Sequence, residues 1–336
     1  MKLLSIVVPC YNSAAYMEKC VDSALVGGDR VEIIIIDDGS KDDTGKIADA
    51  YLEKYPDIIK VVHQENGGHG EGINQGIKNA TGKYFKTLDS DDTLSKDFPA
   101  FLDRLEEADK AGEVDLFVTN YYYVHADGKG DRSINFSNAL PEGRIFTWDE
   151  TKPFRVDQVL MIHACTFRTE LLRKTGVVLP KHLFYEDNFM IYGNMRYVEH
   201  MYYMNTDLYL YAIGREDQSV QESVMTKRCG HQIKSTELCF TSYHLDEITN
   251  KRKKAYLKHE LFIMFGISIL FTRLNKTDEA DKQIDDMWQV CYDYDPKWAE
   301  YYRKKSLLKF ICLPGKGGRD FVRTIYTIAH KVVRFN

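Results

Sequence analysis

The chain has 336 residues, 44% hydrophobic and 28% charged, enough for a large core and too balanced for a disordered, collagenous or low-complexity protein. Its net charge of −5 is unevenly spread: residues 1–220 carry 24 basic and 36 acidic side chains, whereas residues 221–336 carry 21 and 14. The acidic front disfavours nucleic acid and suits a metal site; the basic remainder suits an anionic partner, such as a phospholipid surface.

Leu3 to Pro9 is an apolar run of strand length, and Asn12-Ser13 then offer N-caps to a helix ending near Leu25. Val31 to Ile36 is rich in β-branched residues and reads as a parallel strand covered on both faces. A helix over 44–55, a strand over 58–63, a helix over 71–80, a strand over 84–88, a helix over 96–111 and a strand over 114–123 follow. This alternation predicts an α/β fold with an open, mainly parallel sheet flanked by helices. Residues 127–148 read as turns and short strands, 166–175 and 188–200 as helices, and 201–213 as a tyrosine-rich strand.

Beyond Gln221 the pattern is helical over roughly 222–250, 252–274, 277–292 and 319–334, so a boundary is expected near 220, separating a domain of residues 1–220 from a helical region of residues 221–336. Tyr256 to Leu274 is apolar nearly all round and predicts a buried helical core or a subunit interface, which leaves a homodimer open. Phe321, Ile325, Ile328 and Val332 share one helical face beside Arg319, Arg323, Lys331 and Arg334. That pattern offers either an interfacial helix for an anionic membrane or a face that docks on the protein itself. No stretch reaches the ~18 apolar residues of a membrane span, the densest run being Leu261 to Phe271, and the N-terminus shows no signal-peptide pattern. Seven scattered cysteines without a C-x-x-C pair fit a reducing cytoplasm better than a disulfide framework or a zinc site.

Ligands of open α/β sheets sit beyond the carboxyl ends of the strands. Three polar clusters fall there: Pro9-Cys10-Tyr11-Asn12 after the first strand, Asp37-Asp38-Gly39-Ser40 after the second, and Asp89-Ser90-Asp91-Asp92 after the fourth. Crowded carboxylates repel, so without a cation at least one has a raised pKa. A hard divalent ion, Mg²⁺ or Mn²⁺, removes the repulsion and takes substrate phosphates as further ligands. The same acids also suit the start of the next helix, and Asp37 to Ser40 also suit a turn. Asn66 to Gly72 is glycine-rich but fits neither a dinucleotide fingerprint nor a P-loop. Adjacent tyrosines in Tyr121-Tyr122-Tyr123 point to opposite faces of a strand, so at most alternate ones can line one site.

In order and spacing, Ile6 to Asn12, Ile35 to Thr44, Asn66-x-Gly68-x-x-x-Gly72-x-Asn74-x-Gly76, Gly82-Lys83-Tyr84 and Leu88 to Asp92 resemble glycosyltransferase family 2, the inverting enzymes of the GT-A fold. The resemblance is strong over residues 1–110 and weaker to about 215. It implies that Pro9, Tyr11 and Asn12 line the base pocket of a nucleotide-sugar donor, and that Asp38 hydrogen-bonds the base, usually uracil. It further implies that Asp89 and Ser90 lie near the ribose, that Asp91, with Asp89, holds Mn²⁺ or Mg²⁺ against the diphosphate, and that Asp92 faces the donor sugar. Gly68, Gly72 and Asn74 belong to the donor-binding glycine segment, where Ile73 replaces the arginine common in the family. The family's later acidic pair matches Tyr185-Glu186-Asp187-Asn188, with Asp187 the general base in preference to Glu186; His163 is a weaker candidate facing the leaving diphosphate. Without a Q-x-x-R-W motif, single-sugar addition to a glycan or lipid-linked glycan acceptor is expected, in the cytoplasm or peripherally at the inner face of the membrane. The competing readings are a catalytically inactive nucleotide-sugar or carbohydrate binder, and a sugar nucleotidyltransferase, which would want a glycine-rich, arginine-bearing loop where Pro9 to Asn12 stand.

Overall fold

The computed structural model describes residues 2–125, 128–214, 218, 221–275, 277–313 and 315–332, with residues 325 and 328–332 described by their backbone alone. They form two compact units, Met1–Leu183 with Asn194–Ile213, and Phe184–Gly193 with Gly214–Asn336.

The first unit begins with the expected alternation: β1 (Leu4–Cys10), α1 (Met17–Leu25), β2 (Val31–Asp37), α2 (Thr44–Lys54), β3 (Ile59–His63), α3 (His69–Asn79) and β4 (Tyr84–Thr87). It continues through β5 (Thr93–Leu94), α4 (Phe98–Ala111), β6 (Leu116–His125), β7 (Arg132–Ile134), β8 (Ile145–Thr147), β9 (Cys165–Arg168) and α5 (Thr169–Thr175). A helix α6 (Glu186–Met195) precedes β10 (His200–Ile213). The strands form one mixed sheet in the order β3-β2-β1-β4-β9-β6-β10-β5, with β7 on β6 and β8 on β10. Pairing is parallel across β3-β2-β1-β4 and between β6 and β10. Strand β9 inserts antiparallel to both β4 and β6.

Three expectations are corrected. Residues 166–168 are strand, not helix, because β4 and β6 offer Thr166 and its neighbours a ladder on both sides. The first helix starts at Met17, because Asn12 takes φ +53° in the turn instead of capping. The helix expected over 188–200 starts at Glu186 and ends at Met195, and His200 already belongs to β10.

Strands β1 and β2 are buried along their whole length, as a doubly covered parallel pair must be. The sequence departs from that rule at Glu32, which is buried in mid-strand. It accepts from Ser5 Oγ (2.5 Å), Thr81 Oγ1 (2.9 Å), Gly82 N–H (2.9 Å), Lys60 Nζ (2.6 Å) and Thr81 N–H. Burial pushes its pKa up, but these donors, Lys60 first, outweigh it and bring the group down to about 2.

The second unit is helical: α7 (Glu222–Lys227), α8 (Cys229–Thr241), α9 (Lys251–Leu274), α10 (Asp278–Tyr294), α11 (Pro296–Glu300) and α12 (Gly315–Val332). The helix expected over 222–250 is broken at Arg228 and stops at Thr241. Its core is aromatic: Phe265 stacks on Trp288 at 4.7 Å and meets Phe240 and Tyr302 at 5.7 and 5.2 Å. Helix α9 is, by length and composition, apolar enough to cross a membrane, which the sequence reading denied; 50% of its most apolar window is nonetheless buried inside the protein. Helix α12 buries Val322, leaves Phe321 41% exposed and pairs Arg319 with Asp278 at 3.0 Å. The remainder of its expected face, Ile325, Ile328, Lys331, Val332 and Arg334, lies outside the described side chains.

Candidate active site

The ends of β1, β2 and β4 are tied into one surface by their own polar residues. Asn12 donates its N–H to Ser40 Oγ (3.0 Å) and accepts at Oδ1 from Lys41 N–H (2.8 Å). The Ser13 and Ser90 hydroxyls meet at 2.8 Å, and Asp38 N–H donates to Cys10 O at 2.9 Å. The three clusters therefore make one hydrogen-bonded set, placed where an open sheet receives ligands. Pro9 is buried and Tyr11 is 48% exposed, so a flat aromatic face stands at the end of β1.

Asp38 is buried, and its carboxylate is engaged by the glycine segment. Oδ1 accepts from Gly67 N–H (2.7 Å) and Gln64 Nε2 (2.6 Å), and Oδ2 from Gly68 N–H (2.8 Å). Three of roughly four acceptor positions are thus occupied within the fold. Gly68 needs its freedom here, at φ +85°. A Cβ on Gly72 would stand 3.0 Å from Pro9 Cβ, so this glycine lets α3 lie against β1. Asn74 clamps Leu179, donating to its O (2.9 Å) and accepting from its N–H (3.0 Å). Gly72 and Asn74, expected among the donor-binding residues, are also packing and clamping residues of this fold.

The acidic turn after β4 has a defined internal order. Asp89 is half-buried between two imidazoles, with Oδ1 3.0 Å from His69 Nε2 and Oδ2 3.6 Å from His163 Nε2. Burial opposes its charge, but the hydrogen bonds of His163 and His69 prevail and hold it well below the carboxylate range. Asp92 is buried, and its carboxylate faces β10: Tyr209 donates its O–H to Oδ2 (2.6 Å) and Ala212 its N–H to Oδ1 (2.8 Å). Each oxygen of Asp92, expected to face a donor sugar, thus accepts one hydrogen bond from β10. Burial first, then the charges of Asp89 and Asp91, raise its pKa well above the ordinary value. Asp91 is half-buried on the same turn, and Ser90 is buried beside it.

Donor atoms of Asp89, Asp92 and His163 lie within 4.8 Å of one another. Two carboxylates and an imidazole, with Nδ1 of His163 a buried atom lacking a hydrogen-bond partner, are a donor set that fits Mn²⁺ or Mg²⁺. Asp89, expected as a ligand, belongs to this set; Asp91 does not, and His163 has a larger place than the sequence suggested. His163 is 3% exposed in a tyrosine cage, its ring 4.3 Å from Tyr211, 4.7 Å from Tyr209 and 5.6 Å from Tyr121. Beneath it, the fully buried Lys86 donates to His163 O (2.8 Å) and Cys165 O (3.4 Å). Burial brings the Lys86 ammonium down to about 8.

Sequence reasoning missed His69, Tyr209, Lys86 and the cage. One signal was present: Tyr121 and Tyr123 alternate along β6 as Tyr209 and Tyr211 do along β10, and the parallel register pairs Tyr209 with Tyr121 and Tyr211 with Tyr123.

Glu186 and Asp187 belong to the second unit. They open α6, where a helix N-terminus favours negative charge. Tyr185 before them takes φ +64°, and its carbonyl is fixed by Ser235 Oγ at 2.6 Å. Glu186 is buried, whereas Asp187 is half-buried with Oδ1 3.4 Å from Asn188 Nδ2.

Comparison with known proteins matches this architecture. Residues 5–171 fit the model of Glycosyl transferase family 2. The chain is 30% identical over 220 residues to the uncharacterized glycosyltransferase EpsJ of Bacillus subtilis, covering 62% of this chain and 60% of that protein. It is 37% identical over 130 residues to the glycosyltransferase GlyG of Streptococcus pneumoniae, covering 38% of this chain and 42% of that one. The chain thus spans less than two thirds of the length of these relatives. Among solved structures, S. aureus TarS 1-349 in complex with UDP-GlcNAc superposes with a TM-score of 0.66 at 20% identity, over 99% of this chain and 92% of that chain. The mannosyltransferase PcManGT of Pyrobaculum calidifontis, in complex with GDP-Man and Mn²⁺, gives 0.54 at 15% identity, over 99% and 88%. At these identities the structural likeness is one of fold. Through residues 5–171, the chain belongs to glycosyltransferase family 2.

Proposed function

We propose that the protein is an inverting, divalent-metal-dependent glycosyltransferase. It moves a single sugar from a nucleotide diphosphate sugar, foremost a uridine diphosphate sugar, to a hydroxyl of a glycan or lipid-linked glycan. Its setting is surface polysaccharide or glycoconjugate assembly, in the cytoplasm or at the inner face of the membrane. The observation that carries this reading is the Asp89, Asp92 and His163 cluster on the joined strand ends of a family 2 domain. Support for the donor class comes from fold relatives seen with UDP-GlcNAc and with GDP-Man and Mn²⁺.

Tyr11 and Asn12 would bound the base, with Asp38 offering its remaining acceptor position to a base N–H. Asp89, with Asp92 and His163, would hold the cation, with Asp91 on the same turn as a further ligand; when bound, the ion supplies Lewis-acid charge against the leaving diphosphate. Asp187 would accept the proton of the acceptor hydroxyl as its oxygen bonds to the anomeric carbon. The carbon–oxygen bond to the diphosphate breaks on the opposite side, so the configuration inverts. Glu186, buried behind it, would position that helix start.

A panel of uridine diphosphate sugars, assayed for slow hydrolysis with Mn²⁺, with Mg²⁺ and with EDTA, tests the reading. Metal-dependent release of sugar from one donor is expected. Uridine diphosphate binding without turnover of any donor, with a full acceptor set supplied, would overturn catalysis in favour of a binding protein. Condensation of a sugar phosphate with a nucleoside triphosphate would make it a nucleotidyltransferase.

A further inference from the structure

The second unit contains a cavity of about 400 Å³, of the size that receives small organic ligands. It is lined by Arg273, Arg303, Lys304 and Lys309 against Asp281 and Asp285, with Ile284, Trp288 and Leu313 as apolar wall. Arg303 and Lys304 stand on a π-helical turn, Tyr301–Lys305, a geometry that recurs at functional sites.

Two buried donors line this space. Arg273 is 2% exposed and Trp288 is fully buried, and neither Arg273 Nε nor Trp288 Nε1 has a hydrogen-bond partner among the described residues. The indole N–H is turned to the Cys312 thiol, a weak acceptor. The other guanidinium nitrogens of Arg273 reach Leu313 O and, at 3.6 Å, Asp281. Asp281 is shared with Arg319, which also reaches Asp278 at 3.0 Å; Arg303 is paired with Asp285 at 2.6 Å and Lys304 with Glu300 at 3.1 Å, which leaves Lys309 as the cation of the lining with no carboxylate partner among the described residues. A buried donor left unmatched is costly, and the excess of cations repels itself. An anion with several acceptor oxygens relieves both.

We infer that this cavity binds a phosphoryl group, as a phosphate ester or diphosphate. Its oxygens take the Arg273 Nε–H and Trp288 Nε1–H, Lys304 and Lys309 close the rim, and the organic part lies on Ile284 and Leu313. A carboxylate offers two oxygens where a phosphoryl group offers three, so the donor count favours phosphate. The site uses none of the residues assigned to sugar transfer and stands or falls independently of that assignment.

The chain has three tryptophans, so its indole ¹⁵N–¹H spectrum is simple. The full chain, in EDTA and without nucleotide, is titrated with inorganic phosphate, with pyrophosphate, and with vesicles of phosphatidylcholine containing phosphatidic acid. The resonance that disappears in Trp288→Phe is expected to shift saturably, with the Trp148 and Trp298 resonances unmoved. Lys304→Gln combined with Lys309→Gln, both at exposed positions, is expected to weaken that titration at least tenfold with the three resonances otherwise in place. A shift with phosphate or pyrophosphate identifies a soluble phosphoryl ligand, and a shift with the vesicles alone identifies a lipid headgroup. A stationary Trp288 resonance with all three probes at millimolar concentration, or an unaltered titration in the double variant, overturns the inference.

Discussion

Each unit buries a glutamate, and the two are treated in opposite ways. In the first, Glu32 sits in mid-strand with a donor on every side and is held at about 2. In the second, Glu260 of α9 is buried with Oε2 lacking a hydrogen-bond partner, and burial lifts it to about 8 despite a hydrogen bond from Tyr256. The charge of Glu32 is retained by satisfying it; that of Glu260 is neutralised. A buried polar group costs several kcal/mol unless matched. The cluster of Lys86, Asp89, Asp92 and His163 at one strand end is therefore better explained by chemistry than by stability.

The largest expected effect tests the proposed general base. Asp187→Asn should lower turnover about 10²–10⁴-fold, the usual worth of a general base, with donor affinity unchanged in a binding titration. Wild-type turnover would remove Asp187 as the base. Next, Glu32→Gln should destabilise the fold by about 2–3 kcal/mol in urea unfolding, because it strands donors built around a carboxylate. The pH dependence of stability sharpens the contrast. Glu32 has a folded pKa of about 2 against an ordinary 4.5, so its stabilisation is full above pH 4.5 and is lost as pH falls toward 2. Glu260 has its folded pKa raised to about 8, so its protonated form stabilises fully below pH 4.5, and that contribution declines as pH rises through 8. Glu260→Gln should consequently flatten the alkaline limb and leave the acid limb to Glu32; an unchanged alkaline limb would contradict the buried, neutral assignment. Tyr209→Phe should cost about 1 kcal/mol in thermal unfolding, by removing the hydroxyl between Asp89 N–H and Asp92. The smallest effect belongs to the exposed Lys282–Asp286 pair of α10, where Lys282→Ala should leave the thermal unfolding midpoint indistinguishable from that of the parent protein.

The first four parallel strands were legible because apolar runs end in Asp, Gly, Ser and Asn, signals carried by neighbouring residues. The acidic turn was legible for the same reason. Strand β9 was not, since residues 165–168 owe their extended form to β4 and β6, both distant in sequence. His69 and His163 were equally hidden as partners of Asp89: they lie 20 residues before it and 74 after it, and only the fold brings them together. In the second unit the apolar stripes announced helices, yet the pairing of Arg273, Trp288 and the turn at Tyr301–Lys305 around one cavity has no local pattern to read.

The Tyr211 ring lies nearly parallel to the imidazole of His163, 28° from coplanar at a centroid distance of 4.3 Å. Circulating π-electrons shield nuclei held above an aromatic face, so the carbon-bound protons of this histidine should resonate upfield of those of an unstacked imidazole. That displacement, once assigned by its loss in Tyr211→Leu, gives the sheet end a spectroscopic marker through which cation or nucleotide arrival could be followed without a substrate.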